Sequence, residues 1–91
     1  MHRVPTASLH ARHYRRRMLC QERIDARLSD AEILVLTGAD IGDPHAFLRA
    51  LWTQVYDQAP MHLRSSALRR LHGLSRRLGV SYVHGAEYGA G

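Results

Sequence analysis

The 91 residues include no lysine, one cysteine, one phenylalanine and one tryptophan. A single cysteine excludes an internal disulfide framework and a four-cysteine zinc site alike. No apolar run is longer than Ile33-Leu34-Val35-Leu36, whereas a membrane span needs about 20 such residues. That run leads through Gly38 and Gly42 towards a helix start, in the manner of a phosphate cradle. Its glycines fit neither the dinucleotide nor the P-loop spacing, and the P-loop lysine is missing from the whole chain. His10-x-x-His13 places two imidazoles one helical turn apart with Cys20 on nearly the same face, but no further zinc ligands accompany them. There is no His-Glu-x-x-His, no Cys-x-x-Cys and no acid–base pair at useful spacing. The expectation is a chain that is not an enzyme, with no catalytic residues, no metal and no cofactor.

What is abundant is arginine. Thirteen arginines against eight acids give a formal charge of +5, and seven histidines would add to it below about pH 6. The charge is segregated. Residues 1–28 carry seven arginines and two acids; residues 29–59 carry Arg49 alone against five acids; residues 60–91 carry five arginines and Glu87. A guanidinium grips phosphate or carboxylate with a planar fork, so basic segments flanking an acidic one suit a polyanion or an acidic protein surface. They also suit ion pairing within the fold, and composition does not separate the two.

The chain is long enough for one thin core, and 45% hydrophobic with 23% charged residues fits a globular domain. A single helical domain over residues 1–91 is expected, with 1–7 and 85–91 as loose ends. Thr6 or Ser8 after Pro5 can open a first helix reaching to about Arg27, with Leu9, His13, Cys20, Ile24 and Leu28 on one side. Ser29-Asp30-Ala31-Glu32 has capping-box spacing and predicts a short helix from Asp30 to Thr37, closed by Gly38. Asp43-Pro44 is an N-cap followed by proline at the first helical position, opening a helix to about Gln58. Its apolar positions, Phe47, Leu48, Leu51, Trp52, Val55, Tyr56 and Ala59, make the best core candidate.

The last predicted helix runs from about Met61 to Leu78 and stops at Gly79. Leu63, Ala67, Leu68, Leu71, Leu74 and Leu78 span an arc of about 140°, with Arg69, Arg70, Arg76 and Arg77 opposite. The fold expected is all-α, a compact bundle of three to four helices. The alternative is a small α+β domain with a two-stranded element from 33–36 and 80–83, because Val80-Ser81-Tyr82-Val83 alternates like a strand.

Leu74-Ser75-Arg76-Arg77-Leu78-Gly79-Val80-Ser81 faintly resembles the first helix and turn of helix-turn-helix regulators. The likeness covers eight residues and implies a recognition helix after Gly79. The twelve residues that follow hold Gly85, Gly89 and Gly91, poor material for one.

Function is therefore read from the charge. The first expectation is a nucleic-acid-binding regulator or accessory factor, with DNA the favoured ligand, that contacts phosphates mainly through Arg69, Arg70, Arg76 and Arg77. Arg12, Arg15, Arg16 and Arg17 come second. Neutralising ~4–6 phosphates implies a log–log salt slope of about −4 to −5. The alternative is an interaction or inhibitor protein of the phage or mobile-element type. It would dock on another macromolecular machine through Phe47, Trp52 and Tyr56 with Asp40, Asp43 and Asp57. A broad apolar face on a short chain makes a homodimer an option. The arginine-rich, acid-poor N-terminal segment lacks the apolar stretch of a secretory leader, and a cytoplasmic location without membrane association is expected.

Overall fold

A computed structural model describes residues 18–85. Three helices account for their regular structure: α1 (Gln21–Leu36), α2 (Pro44–Val55) and α3 (Met61–Leu78). The fold is an all-α bundle, and no strand occurs among the described residues. No helix there is long and apolar enough to cross a membrane.

The core follows from one periodicity repeated three times. Ile24, Leu28 and Ala31 line α1; Leu48, Leu51, Trp52 and Val55 line α2; Ala67, Leu71 and Leu74 line α3. Each set recurs at three- and four-residue steps, which stacks side chains on one helical face. Ala59, in the turn between α2 and α3, is also sealed. Leu19 N–H donates to the Gln58 carbonyl, and Arg27 Nη1 donates to Gln54 Oε1, so the start of α1 lies beside the end of α2 and the two run antiparallel.

Helix ends follow the local chemistry closely. Asp43 Oδ1 accepts the His45 amide at 3.1 Å, with Pro44 as the first helical residue. Gly79 is left-handed at φ 71°, its amide donating to Arg76 O and that of Val80 to Ser75 O. Gly38, at φ 72°, ends α1 the same way, with its amide on Val35 O and that of Ala39 on Leu34 O. Both are Schellman closures, in which the left-handed residue is most cheaply glycine.

Five expectations are corrected. No helix boundary falls at residues 28–30: Ser29 and Glu32 sit inside α1, so the capping box is not used. Helix α2 ends at Val55, with a turn over 56–58. Residues 33–36 are helical and 80–83 pair with no strand, which removes the α+β alternative. No recognition helix follows Gly79 among the described residues. Cys20, placed by spacing on the packed side, is exposed at the N-terminal end of α1. The helix start at Thr6 or Ser8 lies outside the described residues.

Among the described residues, Gly73 is the one glycine within a helix. Glycine costs about 1 kcal/mol against alanine in a helix interior, and a Cβ built at Gly73 meets nothing within 4 Å. Gly73→Ala is expected to raise the thermal midpoint by about 4–8 °C, read by circular dichroism. An unchanged or lower midpoint would mean that the α3 surface at this position is not open.

Candidate functional site

Helix α3 carries five arginines and no acid, and the fold divides them into two groups. Arg70 faces α1. Its Nη2 donates to Glu32 Oε1 at 2.8 Å and to Ser29 Oγ at 3.2 Å, Nε donates to Glu32 Oε2, and Nη1 pairs with Asp25 Oδ1 at 3.1 Å. Asp25, Ser29 and Glu32 recur along one edge of α1, so a single guanidinium stitches two helices together. Arg64 is also occupied. Its Nε donates to the Ala59 carbonyl, and its guanidinium lies 5.3 Å from the Tyr56 ring centroid, a cation–π distance.

Arg69, Arg76 and Arg77 are exposed and make no hydrogen bond or ion pair among the described residues. Arg69 and Arg76, seven residues apart, project within about 20° of each other and about 10 Å apart along the axis. Arg77 lies further round and is close enough for its charge to favour ionised Glu32. Sequence placed all four arginines 69, 70, 76 and 77 on one basic face. In the structure Arg69, Arg76 and Arg77 are exposed, whereas the Arg70 guanidinium turns to α1 and is engaged by Glu32, Asp25 and Ser29. Arg12, Arg15, Arg16 and Arg17 lie outside the described residues.

The Arg70 fork holds the Glu32 carboxyl below the usual glutamate value of 4.5, chiefly through its hydrogen bonds and against partial burial. The same contact raises Arg70 itself, so no ordinary alkaline pH releases it. A carboxyl lowered on folding contributes stability that is present above its unfolded value and lost as pH falls through the folded one. The wild type is therefore expected to be more stable than Glu32→Gln by about 1 kcal/mol at neutral pH. That gap should narrow as pH falls below about 4.5 and close once it has passed through the lowered carboxyl value, read in denaturant titrations. A gap independent of pH would show that the pair does not carry the seam.

A second cluster gathers around Trp52. His84 stacks on the indole at 5.2 Å with an interplanar angle of 26°, and Tyr56, Tyr82 and His72 surround it at centroid distances of 5.2–5.9 Å. The Tyr82 hydroxyl lies 2.8 Å from His84 Nδ1, and His84 Nε2 lies 3.1 Å from Asp57 Oδ2. Alternate residues 82 and 84 thus strap the segment after α3 onto the end of α2. A cleft of about 290 Å³ opens here, lined by Trp52, Tyr56, His72, Tyr82, Val83 and His84. Trp52 Nε1 is buried without a hydrogen-bond partner.

The residues expected for protein docking, Phe47, Trp52 and Tyr56 with Asp40, Asp43 and Asp57, each have contacts within the fold. Trp52 is only 4% exposed, and Phe47 and Tyr56 are half-buried against the core. Each of the three acids has a local role: Asp43 caps α2, Asp40 accepts the Gly42 amide and Asp57 holds His84. The large apolar side chains that are exposed are Ile33, Leu34 and Leu36 on α1, Met61 at the start of α3, and Val83.

Sequence reading missed two things that carried signals. Arg70 lies only about 20° from the edge of the apolar arc of α3, where a long side chain can turn towards a neighbouring helix. The alternation at 80–83 is legible, but the segment packs on an aromatic ring of α2 and not on a strand. Among the described residues no group of three His, Cys, Asp or Glu side chains is arranged to hold a metal ion.

No known protein family matches this chain, and no curated protein or solved structure shows significant similarity to it.

Proposed function

We propose that this chain is a nucleic-acid-binding module that contacts phosphates through Arg69, Arg76 and Arg77 of α3. One observation carries the reading: an acid-free helix presents three unpaired guanidiniums on its outer side while its fourth and fifth are consumed internally. Net charge alone does not carry it. Residues 18–85 hold eight arginines and seven acids, so the basic character here comes from placement. Arg70 belongs to the scaffold, and Arg12, Arg15, Arg16 and Arg17, outside the described residues, are proposed as further phosphate contacts on their charge alone.

Each phosphate neutralised contributes about −0.7 to −0.9 to the log–log dependence of affinity on salt. A titration of the full chain against an oligonucleotide at several salt concentrations is the test. The expected slope is at least about −2 from the three α3 arginines, and steeper as N-terminal arginines join. Absence of binding at low salt defeats the reading.

A second reading, docking on a protein, is favoured by Leu34, exposed at a cleft of about 430 Å³ that Phe47 and Leu51 also line, with Ile33 and Leu36 exposed on the same helix. Under it, Ile33→Ser with Leu36→Ser abolishes function and leaves oligonucleotide affinity unchanged.

A further inference from the structure

We infer that the nucleic acid taken by this site is single-stranded, and that one unstacked base enters the cleft beside Trp52 while the adjoining phosphate sits on Arg76. The inference rests on the phosphate reading above and adds what lies next to it. Two open clefts meet at His72, Tyr82 and Val83. One, of about 290 Å³, is walled by aromatic rings; the other, of about 320 Å³, is lined by Arg76 and Ser81. An aromatic recess next to a cleft lined by an unpaired guanidinium is the combination that holds single strands, because every base has a π-face and every nucleotide a phosphate. Paired bases inside a duplex keep their faces covered, so a duplex offers this recess nothing to stack.

Two further observations point to a ligand. Trp52 lines the cleft, and its Nε1–H is sealed beneath that lining without a partner, whereas buried polar atoms in folded proteins are nearly always satisfied. Bases carry carbonyl oxygens and ring nitrogens along their edges, and either kind of atom accepts such a donor. At the rim, Val83 is 68% exposed and the His72 ring is also exposed, giving an apolar and an aromatic edge that no other described element covers. The charges nearby agree. Arg64 lies over Tyr56, and Asp57, the carboxylate that reaches the cluster, has both oxygens on His84.

The test uses the full chain and three probes of equal length, about a dozen nucleotides: a thymidine single strand, its duplex, and an abasic strand with the same phosphates. Trp52 is the only tryptophan, so its emission reports the recess directly. The thymidine strand is expected to quench that emission and to bind roughly 5- to 150-fold more tightly than the abasic strand. The replacement His72→Ala, at an exposed position, should weaken thymidine binding within that range and leave abasic binding unchanged. Equal binding of thymidine, duplex and abasic strands with unaltered Trp52 emission overturns the inference and leaves the phosphate reading standing. Failure of all three probes at low salt removes both.

Discussion

Replacing Arg69, Arg76 and Arg77 together by alanine is expected to lower affinity for a single strand by about 100-fold at 0.1 M salt, and hardly at all near 1 M. The number follows from counterion release. Three phosphate contacts contribute a slope of about −2.1 on a single strand, hence about two decades between those salt concentrations. All three side chains are exposed and unpaired, so the triple variant keeps its fold. Arg70→Ala is the informative contrast. It removes the same charge from the same helix, yet that guanidinium is committed to Glu32, Asp25 and Ser29. Its expected signature is a lower melting temperature with the salt slope retained. If Arg70→Ala flattens the slope as much as any outer arginine does, the division of α3 into scaffold and contact arginines is wrong. Measuring both variants at matched folded fraction separates lost binding from lost structure.

The same contrast explains how far the sequence could be read. The endings were legible because they are local: an aspartate before a proline can cap, and a glycine after a leucine-rich stretch can turn left-handed. Helix α3 was legible from Met61 to Leu78 because its apolar arc is continuous. The start of α1 and its passage through Ser29 were not. Ser29 and Glu32 have the spacing of a cap, but that spacing equally places them on one face of an unbroken helix. Their use is decided by Arg70, 38 residues from Glu32 in sequence. Nothing in a local window distinguishes Arg69 from Arg70, adjacent and identical as they are; the approach of α1 does. The recess beside Trp52 has the same origin, since it exists only where residues 82–84 fold back over α2.

Leu71→Ala is expected to cost about 2–5 kcal/mol, the largest stability effect of any single substitution considered. Leu71 has no exposed surface and lies on the inner face of α3, next in sequence to the arginine that grips α1. Truncation there removes a branched side chain where Leu28, Leu48, Val55 and Leu74 are equally sealed and have little room to close the gap. A chain of this size has about 5–14 kcal/mol of stability in all, so the thermal midpoint should fall by at least about 10 °C. Ile33→Ala supplies the control. Its side chain is of similar bulk but 57% exposed, and truncation at such a position normally changes stability by no more than about 0.5 kcal/mol. Melting both variants at two protein concentrations tests the core and the α1 face together. A large loss at Leu71 with none at Ile33, independent of concentration, is the result for a bundle that folds on its own with its α1 face open. A large loss at Ile33 that grows on dilution would mean that the exposed α1 side chains are buried against a second copy, because only association makes a midpoint depend on concentration in this way.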